Sequence, residues 1–103
     1  MTDLATVRRE FMRWQILLAL NNAREADGAG EGLLLSIIQA EFPDATPVEL
    51  RRELDYLAER ALIHLDKKPD GRWIADINRH GIDVVEYTVE CDPGISRPRK
   101  YWG

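Results

Sequence analysis

The residues able to do chemistry are few and widely spaced. His64 and His80 stand sixteen residues apart, and Cys91 follows eleven residues later. Zinc sites bring their ligands in close pairs, so this spacing predicts no metal site. Ser36 and Ser96 are the only serines, and neither sits in a motif that exposes a nucleophile. The cluster Gly28, Gly30 and Gly32 lacks the Lys-Ser/Thr ending of a phosphate-cradling loop and reads as a connection. Asp66 and Asp70 bracket a turn without the alternating carboxylates and closing Glu of a calcium loop. The expectation is a protein that is not an enzyme and holds no cofactor. What is left is charge. Lys67, Lys68 and Arg72 surround one turn. Arg97, Arg99 and Lys100 precede Tyr101 and Trp102 in the tail. Arg51, Arg52 and Tyr56 share one short segment. Such cations neutralise phosphates, and an arginine fork matches the two acceptors of guanine. A basic tail with aromatic residues can also stack on bases. The plainer reading of the turn cations is that they keep a hairpin tip soluble and unpaired. For Trp102 the plainer reading is packing onto this domain or a second copy. His80 beside Arg79 fits a pH-sensitive phosphate contact or an ordinary surface histidine.

These groups must be positioned by a small scaffold. The 103 residues fit one domain, with 45% hydrophobic content for a core. The 14 Lys and Arg against 18 Asp and Glu give a net charge of −4, unlike a generic nucleic-acid coat. Residues 31–66 carry three basic and eight acidic side chains, a net −5, whereas residues 67–103 carry seven and six, a net +1. The polar start, Met1 to Arg9, does not read as a signal peptide. The longest apolar runs, such as Ile16–Leu20, are far shorter than the ~20 residues of a membrane helix. A cytoplasmic protein is expected. Cys91, the single cysteine, leaves only a bridge between two chains open and otherwise acts as a small hydrophobe.

Hydrophobic spacing places the elements. Val7, Phe11, Trp14, Leu17, Leu18 and Leu20 recur at helical steps from Thr6 to about Arg24. Their wide apolar surface predicts a central helix contacted from two sides, or one that also carries a dimer contact. Residues 27–32 form a flexible connection. Leu33 to Ala40 reads as a second helix with Leu34, Ile37 and Ile38 inward. Thr46-Pro47-Val48-Glu49 opens a third helix, with a reciprocal Thr46–Glu49 capping box and Pro at the first position. Leu50, Leu54, Leu57 and Ala61 form its inward stripe. Glu49, Arg51, Arg52, Glu53, Asp55, Tyr56, Glu59 and Arg60 then point outward, and Arg51 and Asp55 have the spacing of a helical ion pair. Residues 62–66 and 73–77 read as two strands around a Pro69-Asp70-Gly71 turn, with Ile63 and Leu65 on one face and His64 on the other. Asn78 or Arg79 starts a last helix, with Ile82, Val85 and Val89 on its apolar side. Asp92-Pro93-Gly94 closes it.

Three helices, a two-stranded hairpin and a fourth helix, in that order, give a mainly α fold of winged helix-turn-helix type. The hairpin is the wing. The stripe from Leu50 through Ala61 into Leu62 and Ile63 is common in such regulators, usually with Gly at the position of Ala61. Residues 44–57 (DATPVELRRELDYL), 79–88 (RHGIDVVEYT) and 91–95 (CDPGI) resemble a family of small proteins encoded by Mu-like phages and prophages. The resemblance covers most of the chain. It implies a winged-helix fold and a bacterial-host context, and it brings no catalytic residues. A shared fold does not establish a shared task.

The domain is expected over residues 1–94, with residues 95–103 as an extended basic and aromatic tail. The expected function is a DNA-associated protein, of the transcriptional-regulator kind. Its contacts to duplex DNA would be Arg51, Arg52 and Tyr56 on the third helix, Lys67, Lys68 and Arg72 at the wing, and Arg97, Arg99 and Lys100 in the tail. The competing reading is a protein-interaction or homodimerisation module that uses the first helix and the tail. The acidity of the third helix favours it.

Overall fold

The computed structural model describes residues 3–100, so the expected contacts of Tyr101 and Trp102 lie outside the described residues. The elements are α1 (Leu4–Asn22), a 3-10 turn (Arg24–Ala26), β1 (Ala29–Gly30), α2 (Glu31–Gln39), α3 (Pro47–Glu59), β2 (Ile63–Lys67), β3 (Trp73–Ile77) and α4 (Arg79–Val85). The fold is mainly helical with a small antiparallel sheet.

The apolar spacing of α1 makes it the element on which the others pack. It touches α2, α3, α4 and β3, and Met12, Trp14, Ile16, Leu17 and Leu20 are buried. Burying such side chains contributes about 1.5–3 kcal/mol each. A missing cap costs only about 1 kcal/mol, and α1 indeed starts at Asp3 without a side-chain cap. The helix begins two residues earlier than its pattern predicts, and Leu4 and Val7 are exposed there. In α2, Leu34 and Ile38 point inward as expected, but Ile37 is 40% exposed. A helix of nine residues offers the core one stripe, and Leu34 with Ile38 fills it.

The glycine-rich connection is more than a linker. Ala29 and Gly30 pair with Ala75 and Ile74 of β3, so the sheet has three strands in the order β1-β3-β2. Gly28 makes this pairing possible. Its φ is +96°, and a Cβ there would lie 2.7 Å from the Ala75 carbonyl oxygen. In the hairpin, Ile63 faces Ile77, Leu65 faces Ala75 and Lys67 faces Trp73. His64 is exposed on the opposite face, as alternation predicts.

Only half of the capping box forms at the start of α3. The Thr46 hydroxyl accepts from the Glu49 amide at 3.1 Å, but the Glu49 carboxylate turns to Arg8. A bidentate, charge-assisted pair outcompetes a single bond to an amide. The other end also departs from expectation. Ala61 is exposed, not inward. It takes a left-handed φ of 58°, the Ala61 amide donates to Ala58 O, and the Leu62 amide donates to Leu57 O. This is the helix stop normally built on Gly.

Asn78 ties that stop to α4. Its side-chain amide donates to Ala61 O at 2.6 Å, and its side-chain oxygen accepts from the Gly81 amide at 2.9 Å. Gly81 lowers helix propensity but is required here, because a Cβ would run into the Leu62 carbonyl and Ile77. The helix stops at Val85, so Val89 lies beyond it and Asp92-Pro93-Gly94 shapes a later turn. Ile95 is 5% exposed in the core, and the Ser96 amide donates to Glu10 O. Packing therefore continues past residue 94.

A left-handed alanine costs about 1–2 kcal/mol relative to its preferred backbone. Ala61→Gly is expected to stabilise the fold by about 1 kcal/mol. Urea unfolding checks this, and a lower midpoint for the variant would contradict the helix-stop geometry.

Candidate interaction face

Six of the nine expected phosphate- and base-contact residues, Arg51, Tyr56, Lys67, Lys68, Arg72 and Arg97, have partners within the chain. Arg51 projects from α3 toward the start of α2. Its Nε lies 2.6 Å from Glu31 Oε2, its Nη2 donates to Gly71 O at 2.7 Å, and its guanidinium lies 4.6 Å from the Trp73 ring centroid. Glu31 also accepts from the Trp73 amide. One arginine thus joins α2, α3 and the hairpin turn. The expected Arg51–Asp55 pair is absent, because Asp55 pairs with Lys67 at 3.0 Å. The contact across elements is chosen over the one along the helix.

The cations around the hairpin turn are similarly matched. Lys67 also sits 4.3 Å from the Trp73 ring centroid. Lys68 pairs with Asp66 at 2.8 Å, and Arg72 pairs with Asp70 at 2.8 Å. In the tail, Arg97 is a structural residue. Its Nη1 donates to the carbonyls of Val84 and Val89 at 2.9 and 3.0 Å, and its guanidinium stacks on Tyr87. The Tyr87 hydroxyl donates to Pro98 O. Arg52, Arg99 and Lys100 are exposed and form no ion pair among the described residues.

Tyr56 is a linchpin rather than a free probe. Its ring lies between Arg13, 3.5 Å from the centroid, and Arg60, at 4.4 Å. Its hydroxyl donates to Asp92 Oδ1, while Arg60 Nε donates to Asp92 Oδ2 at 2.8 Å. Asp92 Oδ1 also accepts from the Gly94 amide at 2.7 Å.

Glu53, expected outward, is fully buried with 0% exposure. Its Oε1 accepts from Arg13 Nε at 2.7 Å, and its Oε2 has no hydrogen-bond partner among the described residues. Arg13 Nη1 donates onward to Gly94 O at 2.8 Å. The signal was in the spacing: Leu50, Glu53 and Leu57 follow three- and four-residue steps, which puts Glu53 on the core side of α3. Around it, Arg13, Arg52, Asp55, Tyr56 and Glu59 complete a surface groove of about 280 Å3. The outer stripe of α3 is Val48, which is 69% exposed, then Arg52, Asp55 and Glu59.

His64, His80 and Cys91 sit on β2, α4 and the segment after α4. Among the described residues, no three or more His, Cys, Asp or Glu side chains come together as a metal site. Burial pushes the Cys91 thiol up from its ordinary range. No helix among the described residues is long and apolar enough to cross a membrane. No protein-family model, no curated protein and no solved structure matches the chain.

Three carboxylates are held in their charged form by their partners. Hydrogen bonds from Arg51 hold Glu31 below the usual carboxylate range, and those from Arg8 do the same for Glu49. The Gly94 amide, with Arg60, lowers Asp92. Groups depressed on folding give stability above their unfolded pKa, about 3.9 for Asp and 4.3 for Glu, and lose it as pH falls through the folded values. The urea midpoint is therefore expected to fall as the pH is lowered through about 4, and less steeply in Glu31→Gln. A midpoint unchanged across that range would contradict these pairings.

Proposed function

We propose that this chain is a winged-helix domain working as a protein-interaction module. In this reading α2 and α3 are the helix pair, and β2 and β3 with their turn are the wing. The observation that carries it is the outer stripe of α3, where one cation, Arg52, stands with two carboxylates and Val48. Duplex DNA presents one negative charge per about 1.7 Å of its axis. Glu59 on the outer face meets that charge unfavourably, and Asp55 offsets the charge of Lys67. At the wing, the ion pairs themselves are weak, about 0–1 kcal/mol each. Breaking them is easy, yet Asp66 and Asp70 stay beside Lys68 and Arg72 and offset their attraction for phosphate.

A second reading, binding of duplex DNA, has its own support in the exposed Arg52, Arg99 and Lys100, which form no ion pair among the described residues. The resemblance to small phage proteins is compatible with both readings. Anisotropy of a labelled duplex, titrated at about 50 and 200 mM salt, separates them, because phosphate contacts give a steep salt dependence. The expected result is no saturable binding at either salt concentration. Saturable low-salt binding that is lost in a combined Arg52→Ala, Arg99→Ala, Lys100→Ala variant would overturn the protein-module reading in favour of DNA.

A further inference from the structure

The outward side of α2 presents no charge. In a chain that is 31% charged, the exposed residues of this helix and its cap are Gly32, Leu33, Ser36, Ile37, Gln39 and Ala40. Leu33 is 58% exposed and Ile37 40%. At about 3.6 residues per turn these positions form one continuous arc, opposite the buried Leu34 and Ile38. The polar side chains of α2 are already bonded within the chain. The Ser36 hydroxyl donates to Gly32 O at 3.2 Å, and the Gln39 side-chain amide donates to Ala45 O at 3.0 Å. Glu31, the single charged residue of the helix, accepts from Arg51 and from the Trp73 amide. Covering the arc therefore breaks no ion pair and leaves the Ser36 hydroxyl bonded.

The relief of the arc matches itself. Leu33 and Ile37 form a ridge along one four-residue row, and Gly32, Ser36 and Ala40 form a shallow groove along the next. A Cβ on Gly32 would meet nothing within 4 Å, so the groove is open there. Ridges of four-residue rows pack into the equivalent grooves of a second helix at a crossing of about −50°. A two-fold axis through the arc sets the ridge of each copy into the groove of the other. Charge agrees with shape. Residues near a two-fold axis meet their own equivalents, so a face of one sign repels its copy. The arc on α2 has no such charge, although the chain carries −4.

We propose that α2 is a homodimerisation surface, on which Leu33 and Ile37 of each copy pack against Gly32, Ser36 and Ala40 of the other. The interface rests on the protein-module reading above and names its partner as a second copy of this chain. One nine-residue helix from each copy covers less than the ~1,200 Å2 of a standard interface. The dimer is therefore weak, with a Kd on the order of 100 µM.

Sedimentation equilibrium of the full chain from about 10 µM to 1 mM tests this. The expected result is a reversible monomer–dimer equilibrium that does not weaken between about 50 and 500 mM salt, because no charges meet. Gly32→Leu fills the groove, and Leu33→Asp places a charge on the ridge. Each variant should weaken the dimer by about tenfold while its urea midpoint holds, since both positions are exposed. A chain that stays monomeric at about 1 mM overturns the proposal, and a different protein then covers the arc. A dimer that either variant leaves intact also overturns it, because another face then associates. Duplex binding by a chain that still dimerises through α2 would remove the protein-module reading and leave the interface standing. A monomer that binds no duplex would do the reverse.

Discussion

The pair between Arg13 and Glu53 organises the side of the molecule on which α1 and α3 meet. Glu53 sits among the leucines of the core face of α3, where a lone carboxylate would be very costly. Arg13 meets it from α1, then reaches the Gly94 carbonyl and lies against Tyr56. One guanidinium therefore connects two helices and the turn that follows α4. The arrangement of Tyr56, Arg60 and Asp92 is stacked on it. A buried pair of this kind adds little stability compared with apolar packing, but it is intolerant of losing one partner. It thus fixes how α1 and α3 face each other.

The same logic, at lower stakes, runs through the surface. Arg8 with Glu49 and Asp44, Arg51 with Glu31, and Lys67 with Asp55 each join segments distant in sequence. The acidic excess of residues 31–66 is therefore partly structural. Much of it compensates cations from α1, α3 and the hairpin. The charge that the chain presents outward is smaller and more mixed than its composition suggests. The same pairs occupy Arg51 and Lys67, cations that a phosphate contact would need, which supports the proposed protein-module reading.

Element positions were largely legible in the sequence, and charge partners were not. The helical spacing in α1, the Thr46-Pro47 start of α3 and the Pro-Asp-Gly turn are local signals, and each marks its element. The pairing of Ala29 and Gly30 with β3 was hidden because two residues have no period, and the glycines around them read as a linker. Glu53 was hidden because residue type argued for solvent while its position argued for the core. Arg51 was assigned to Asp55 by helical spacing, and only the fold brings Glu31 and Gly71 within its reach. Long side chains choose partners across the tertiary structure, and a linear pattern holds no record of that choice.

The central claim is that Arg13 and Glu53 are tolerated only together. A double-mutant cycle with Arg13→Met and Glu53→Leu, followed by urea unfolding, measures this directly. Each single variant is predicted to lose about 3–5 kcal/mol, because it strands one buried charge, while the double variant stays within about 1 kcal/mol of the parent. A double variant that loses the sum of the two single losses would contradict the account.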